Sequence, residues 1–330
     1  MVKKKKAGNT ARTVLAGMMC LLFSAGCSAA KEEGKQVILP EAVNERVEEA
    51  EGEEKAPVQA APEVVPKEPE ILEVDWGEYF GGCQGAAVVY DAARRRYTVY
   101  HREMAQERRS PCSTFKVISS LIALEMGVVD PENSLRQWSR ENFWNEKWNQ
   151  DIDFREAFRE SCVWYFRQVI DEIGQERMQE ELGRLCYGNC DISDWEGRLN
   201  TNNNNRALTG FWIESSLKIS PWEQTEVMER IFGTDSVYSQ EALAELKQVM
   251  LVAEENHTDI PIYGKTGMGK EQGTVVDAWF AGFAQKAEGN IYFCVYLGRT
   301  EDKEVSSAVA KDIAIRIVSG YDFSVEWGSM

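Results

Sequence analysis

Histidine is nearly absent from this chain, which has 330 residues and contains only His101 and His257 of that type. A Ser-His-Asp triad needs a histidine poised between two partners, and a His-Glu-x-x-His motif needs two histidines four positions apart. Two isolated histidines favour neither arrangement. The eight cysteines also lack the spacing of a zinc knuckle. We therefore expect neither a metal site nor histidine-based catalysis.

A surplus of positive charge is missing as well. The chain has 37 lysines and arginines against 54 aspartates and glutamates, which gives a formal net charge of −17. Non-specific binding of nucleic acid needs a basic face, so a nucleic-acid partner is not expected. The length suits one folded domain with appended segments.

A hydrophobic run long enough to cross a membrane is also missing. Four lysines, Lys3 to Lys6, precede a short apolar stretch at residues 14–23, and small residues then lead to Cys27. That stretch is typical of an export signal rather than a membrane span. Small residues before a cysteine favour lipid attachment to Cys27 after cleavage, and an ordinary signal peptide cut nearby is the alternative. Either outcome places the mature chain outside the cytoplasmic membrane, anchored to it or secreted.

The segment after the export signal has few aromatic residues and is rich in Glu, Ala, Pro and Val. This composition cannot bury enough apolar surface to fold, and its negative charges repel one another. We predict a signal peptide at residues 1–27, an acidic disordered tether at 28–73 and one folded domain at 74–330.

Inside the domain, the sequence predicts strands near both ends and helices between them. Apolar alternation and apolar runs indicate strands at residues 84–90, 96–101, 262–268, 278–284 and 291–297. Helical periodicity indicates helices at residues 113–126, 153–173, 219–232, 240–253 and 306–318. We therefore expect an α/β (α+β) layered fold, in which both ends of the chain complete one mixed sheet.

The most informative stretch is Ser113-Thr-Phe-Lys116 and the apolar run that follows it. If a helix begins at Ser113, the Ser113 and Lys116 side chains are neighbours on one face, because positions i and i+3 are adjacent. Serine needs a base to act as a nucleophile. Burial disfavours an ammonium group, so a buried lysine shifts toward the neutral form that can serve as one.

Further motifs follow in a fixed order along the chain. They are Ser161-Cys-Val163, Tyr187-Gly-Asn189, Phe211-Trp212, Leu217-Lys-Ile-Ser220, Lys265-Thr-Gly267 and Ala278-Trp-Phe-Ala-Gly282. With Ser113 and Lys116, this set resembles the class D, or oxacillinase-type, serine β-lactamases over residues 74–321. The second motif has the form Ser-x-Val rather than Ser-Asp-Asn, which favours class D over class A enzymes and penicillin-binding proteins. The resemblance implies the penicillin-recognising serine β-lactamase and transpeptidase fold, a mixed antiparallel sheet flanked by helices.

The resemblance also implies a function and the residues that perform it. Ser113 would attack the lactam carbonyl of a penicillin-type antibiotic and become acylated. Lys116 would be carboxylated by CO2 to N6-carboxylysine and act as the general base, so CO2 or bicarbonate is needed and no other cofactor is. Ser161 would relay a proton to the departing lactam nitrogen. Hydrolysis of the antibiotic would give resistance.

The substrate-binding residues implied by the family lie around these three groups. Lys265 and Thr266 of the Lys265-Thr-Gly267 motif would face the substrate carboxylate, and Lys265 would also hold Ser161. The backbone N–H groups of Ser113 and Met268 would form the oxyanion hole. Phe115, Val163 and Trp212 would form the pocket walls, and the Trp212 indole would bind the carboxylated lysine. Tyr187 and Asn189 would either shape the cleft or form a tight turn around Gly188.

Some features differ from the family or remain open. Residues 305–311 lack the arginine that many members use for the substrate carboxylate; Arg299 could replace it or be an exposed loop charge. The mature cysteines are expected to be buried free thiols, with one disulfide as the alternative. A monomer and a homodimer are both compatible with the sequence.

Three other functions are compatible with the motifs. A β-lactam sensor or a penicillin-binding transpeptidase would be acylated in the same way but would deacylate slowly. A non-catalytic surface lipoprotein is disfavoured because Ser113, Lys116, Ser161 and Lys265 are all intact. The sensor is disfavoured because such proteins also carry several membrane spans and a metalloprotease motif. This sequence contains neither a second apolar span nor a His-Glu-x-x-His motif.

Overall fold

The computed structural model describes residues 68–198, 205–252 and 260–320. The predicted export signal, Cys27 and nearly all of the predicted tether lie outside these residues. No helix within the described ranges combines the length and the apolar composition needed to cross a bilayer.

One six-stranded sheet organises the domain. Its strands are β1 (Glu70–Glu73), β2 (Gly85–Asp91), β3 (Arg96–Tyr100), β4 (Ile262–Glu271), β5 (Thr274–Lys286) and β6 (Gly289–Gly298). The spatial order is β1-β3-β2-β6-β5-β4. The β1–β3 pair is parallel and the other four pairs are antiparallel. Both ends of the chain therefore complete one mixed sheet, as the sequence predicts.

Nine α-helices occur in the described residues. They are α1 (Gly77–Phe80), α2 (Arg102–Gln106), α3 (Lys116–Glu125), α4 (Phe154–Arg159), α5 (Val163–Ile173), α6 (Gln175–Leu185), α7 (Pro221–Phe232), α8 (Gln240–Met250) and α9 (Ser307–Gly320). Short 3₁₀ turns occupy Cys112–Phe115, Glu146–Trp148 and Arg206–Leu208.

The two faces of the sheet are covered by different helices. On β5, Trp279, Ala281 and Phe283 join the core that contains α3 and α5, whereas the alternate residues Ala278 and Phe280 join the core that contains α9. Successive strand residues point to opposite faces, so this alternation assigns each side chain to one layer. The catalytic motifs predicted from the sequence belong to the first layer.

Two sequence predictions need correction, and one helix was missed. The domain begins earlier than residue 74, because strand β1 (Glu70–Glu73) pairs with β3. The two glutamates of β1 are exposed, so its composition resembles that of the acidic tether before it. The helix predicted at 153–173 is two helices, α4 and α5, since Ser161 between them has a left-handed backbone. Helix α6 was not predicted.

One motif has a clear structural role in the fold. Ser220 is the N-cap of α7: its hydroxyl accepts a hydrogen bond from the Glu223 N–H at 3.2 Å, and the Glu223 carboxylate accepts one from the Ser220 N–H at 2.9 Å. Pro221 occupies the first helical position, where a missing N–H costs nothing. This capping box fixes where the helix starts, immediately after the Leu217–Ser220 segment.

Candidate active site

Ser113 and Lys116 lie together at the start of α3. The Lys116 Nζ donates a hydrogen bond to the Ser113 Oγ at 2.9 Å. The α-helix begins at Lys116 and not at Ser113, which instead lies in the 3₁₀ turn Cys112–Phe115. Because side chains at i and i+3 eclipse in a 3₁₀ turn, the predicted pairing is kept although the helix start is different.

Lys116 is buried, with 1% of its surface exposed, and its Nζ lies 5.4 Å from the centre of the Phe166 ring. Burial lowers the pKa of Lys116 to about 8. Burial, together with the nearby Lys116 charge as the smaller cause, lowers the pKa of Lys265 to about 7. Two lysines therefore have substantial neutral fractions near physiological pH, which an exposed lysine does not have.

Strand β4 carries Lys265, Thr266, Gly267 and Met268 past the Ser113 turn. A Cβ on Gly267 would lie 2.9 Å from the Thr114 Cγ2, so only glycine allows this close approach. The Lys265 Nζ donates to the Thr266 carbonyl oxygen at 3.2 Å and to the Thr266 Oγ1 at 3.4 Å. The Met268 side chain is 38% exposed.

Ser161 connects α4 to α5, with a φ of +56°. A left-handed backbone is uncommon for a residue other than glycine and costs free energy, and such residues concentrate at functional sites. Among the described residues, the buried Ser161 Oγ has no hydrogen-bond partner. The expected direct hydrogen bond from Lys265 to Ser161 is therefore not made, because the Lys265 amine is directed at Thr266.

Trp212 is fully buried and stacks on Phe115 with 6.1 Å between ring centres. A Cβ on Gly210 would lie 2.0 Å from the Trp212 Cζ3, so glycine there makes room for the indole. The Trp212 carbonyl oxygen accepts hydrogen bonds from the Cys112 N–H at 3.0 Å and the Ser110 hydroxyl at 3.1 Å. Within the described part of the chain, the Trp212 Nε1 has no hydrogen-bond partner. Buried N–H groups without a partner are rare and call for an explanation.

A cleft of about 330 Å³ opens above these residues. Six predicted site residues line it, namely Ser113, Ser161, Val163, Thr266, Gly267 and Met268. Lys116, Lys265 and Trp212 are buried beneath it. The structure thus brings all nine predicted catalytic and binding residues to one site, six at its surface and three below.

The sequence interpretation missed the opposite rim of the cleft, which includes Trp144, Glu214 and Lys270. Trp144 is 72% exposed, and the Lys270 Nζ lies 5.7 Å from the centre of its ring. The Lys270 N–H donates to the Glu214 carboxylate at 2.7 Å, and the Glu214 N–H donates to the Ser110 hydroxyl at 2.8 Å. The sequence carries one weak signal for this rim, the group of tryptophans Trp138, Trp144 and Trp148, because the exposure of Trp144 is seen only in the structure.

The Tyr187-Gly-Asn189 motif forms a turn and does not line the cleft. Gly188 has a φ of +54°, and a Cβ there would lie 2.0 Å from the Lys218 carbonyl oxygen. The Asn189 side chain joins the turn to the following segment through the Ser216 carbonyl oxygen and the Lys218 N–H, each at 2.9 Å. Of the two interpretations of this motif, the structure favours the tight turn.

The remaining open features can also be located. Arg299 is exposed after β6, as expected for a loop charge. The six cysteines in the described residues are free thiols. Only Cys112, Cys162 and Cys294 are buried, so the expectation that all would be buried is wrong for the other three, and Cys186 is exposed. Within the described residues, no cluster of three or more metal-binding side chains occurs.

A family model described as the penicillin binding protein transpeptidase domain matches residues 85–319. The chain is 30% identical over 264 residues to a probable beta-lactamase, YbxI, of Bacillus subtilis, a match that covers 80% of this chain and 91% of that protein. It is 28% identical over 246 residues to the regulatory protein BlaR1 of Bacillus licheniformis. That match covers 74% of this chain but only 38% of BlaR1.

Solved structures show the same two kinds of relative. A class D beta-lactamase from Bacillus subtilis has a TM-score of 0.63 and 29% identity, with 77% of this chain and 98% of that chain covered. The C-terminal domain of the Bacillus licheniformis BlaR penicillin-receptor has a TM-score of 0.66 and 27% identity, with 76% and 96% covered.

Proposed function

The chain belongs to the penicillin-binding protein transpeptidase domain family and is a class D serine β-lactamase-like protein, and from this premise we propose that it hydrolyses the amide bond of penicillin-type β-lactams. The family and fold expected from the sequence are confirmed, and relatives named as β-lactamases support the expected enzyme class. The observation that carries the proposal is the contact between the buried Lys116 amine and the Ser113 hydroxyl at 2.9 Å.

The reaction proceeds in two halves on Ser113. The Ser113 Oγ loses its proton to a base and bonds to the lactam carbonyl carbon, the C–N bond breaks, and the nitrogen takes up a proton. Water then attacks the ester carbonyl, the bond to Ser113 breaks, and the serine recovers its proton. The base must act in both halves, because acylation and water attack each require removal of a proton.

Carboxylation of Lys116 by CO2 fits the residues present. The reaction needs a neutral amine, and burial lowers the pKa of Lys116 to about 8. The Trp212 N–H, which has no partner in the described structure, is the donor available to an added carboxylate. A carboxylated lysine would supply the general base for both halves of the reaction. Without it, Lys116 at neutral pH is mostly an ammonium group, which cannot accept a proton.

The other residues bind and orient the substrate in this proposal. The Ser113 and Met268 N–H groups stabilise the oxyanion that develops on the lactam carbonyl. Ser161, whose buried hydroxyl has no partner among the described residues, passes a proton to the departing nitrogen. Thr266 lies on the cleft wall and binds the substrate carboxylate, with Lys265 buried behind it.

Turnover of a chromogenic cephalosporin by the full chain, with and without added bicarbonate, tests the function. We expect many turnovers per molecule, stimulation by bicarbonate, and no turnover or adduct with Ser113→Ala. The intact mass after exposure to the substrate is measured in parallel. A single stoichiometric burst that leaves a lasting adduct on the protein would contradict hydrolysis.

That contrary outcome defines the second candidate function, a penicillin sensor that is acylated but deacylates slowly. The similarity to BlaR1 and the TM-score of 0.66 with the BlaR penicillin-receptor domain favour it. The chain spans 38% of the length of BlaR1, so the activity of that whole protein is not transferred.

We also propose export with a lipid anchor at Cys27, where hydrolysis would give resistance by destroying the antibiotic outside the membrane.

A further inference from the structure

Helix α5 presents three residues toward the candidate site. Val163 begins the helix and lines the cleft, Phe166 packs beside the Lys116 amine, and Arg167 follows one position later. Positions i, i+3 and i+4 share one face of a helix, so all three side chains project the same way. Val163 contributes to the cleft wall and Phe166 to the lysine pocket, whereas Arg167 has no role in the chemistry described above.

Arg167 is a buried cation, with 6% of its surface exposed. Its Nε donates to the Asp171 carboxylate at 3.1 Å, and its Nη2 donates to the other oxygen of the same group. Its Nη1 donates to the Trp195 carbonyl oxygen at 3.0 Å, and Glu196 lies 3.9 Å from its Nη2. Burying a charge is costly even when it is paired in this way, because desolvation can exceed the attraction between the charges. The burial of Arg167 therefore needs an explanation beyond these hydrogen bonds.

The indole of Trp212 supplies that explanation. The Arg167 guanidinium carbon lies 5.8 Å from the ring centre of Trp212 and 5.8 Å from that of Trp195. Trp195 stacks on Phe211 with 5.1 Å between centres, and Phe211 contacts the Trp212 ring edge-on at 5.2 Å. Arg167 therefore joins helix α5 to both tryptophans of the loop that carries Trp212.

We propose that Arg167 is the positioning residue that fixes the Trp212 indole and thereby sets how readily Lys116 takes up CO2. This inference rests on the proposed function. A guanidinium against the indole face restricts the tilt of the ring and strengthens its N–H as a donor, because the cation withdraws electron density from the ring. The fork to Asp171 and the bond to Trp195 hold the guanidinium at that face.

The test measures uptake of ¹³C-labelled CO2 by NMR, as the dissolved CO2 needed for half-maximal labelling of the lysine. We expect Arg167→Met to need at least tenfold more CO2 than wild type. Arg136→Met is the matched control, since Arg136 also forms a fork to α5, at Glu172, and lies 5.2 Å from the Tyr165 ring. Its contacts within the described residues do not include Trp212. We expect this control to stay within twofold of wild type, although both variants lose a paired arginine.

Each other outcome decides the question. Equal CO2 requirements for Arg167→Met and wild type would overturn the positioning role while leaving carboxylation intact. A wild-type protein that takes up no label would overturn the proposed carboxylation itself, together with this inference. Should Arg167→Met not fold, Asp171→Asn weakens the same fork, and we expect a smaller increase in the CO2 requirement; an unchanged requirement there overturns the inference.

Discussion

The two faces of the central sheet bury different kinds of side chain. On the α9 face, the core is built from aliphatic and aromatic residues such as Phe280, Ile313 and Ile317. On the α3 face, the core surrounds two buried lysines, Lys116 and Lys265, and a buried arginine, Arg167. The α9 layer is therefore built mainly from apolar side chains, whereas the α3 layer keeps three buried cations that are expensive to bury.

The difference indicates where the fold gives up stability for chemistry. The Trp212 Nε1 and Ser161 Oγ, which lack hydrogen-bond partners among the described residues, both belong to the α3 face. A buried donor without a partner costs about 1–3 kcal/mol. Such costs persist where the unsatisfied groups serve a function. We therefore expect a change on the α3 face to lower turnover without lowering stability, and a change on the α9 face to lower stability without lowering turnover.

The largest effect is expected from Lys116→Met. Methionine fills the space without an amine, so the proposed general base is lost and turnover should fall by about 10²–10⁴-fold or more. The free energy of unfolding should stay equal or rise, because a buried amine with a lowered pKa is removed. Hydrolysis rates and urea unfolding of the same preparation test both statements. Turnover close to wild type would contradict the role of Lys116.

The matched change on the other face is Ile313→Ala, in a residue with 1% of its surface exposed. Truncation of a buried isoleucine costs about 2–5 kcal/mol of stability through lost packing. We expect a lower unfolding midpoint and unchanged turnover below it. A large loss of turnover in the folded variant would remove the contrast between the faces.

The sequence predicted the layer architecture and the contact between Ser113 and Lys116 because both depend on local signals. Ser113 and Lys116 are three positions apart, a spacing that brings side chains together in either a 3₁₀ turn or an α-helix. The long strands β5 and β6 are rich in aromatic and branched residues, and their existence was predicted although each extends beyond its predicted limits.

The missed features depend on contacts between distant segments. Lys270 and Trp144 are 126 positions apart along the chain and meet only because β4 and a loop border the same cleft. Arg167 reads as one charge on an amphipathic helix until the loop with Trp212 is packed against it. Strand β1 was missed because half of its residues are exposed glutamates and its partner β3 supplies the pairing.

An intermediate effect is expected from pH. The pKa of Lys116 is about 8, lowered by burial, so its neutral fraction falls about tenfold for each pH unit below that value. At constant dissolved CO2, bicarbonate-stimulated turnover should therefore fall at least tenfold per unit as the pH drops from 7 to 6, and should recover as the pH rises through 8. Rates in CO2-controlled buffers test this. Ile313→Ala keeps Lys116, so its turnover should follow pH as that of wild type does; a flat rate profile would contradict the lowered pKa.

The smallest effect is expected from Lys270→Gln at the rim of the cleft. An exposed charge attracts an opposite charge by about 0.2–1 kcal/mol, which corresponds to a change of up to about fivefold in an equilibrium constant.

Loss of the Lys270 charge, whose Nζ lies 5.7 Å from the Trp144 ring, should raise KM by that factor for an anionic β-lactam and leave kcat unchanged. The charge acts on substrate approach and not on the reacting bond. Added salt should reduce the difference between variant and wild type, since ions screen exposed charges. Lys311→Gln removes the same charge from α9 and should leave KM unchanged. Equal effects from both substitutions would mean that overall charge, and not this rim, governs substrate binding.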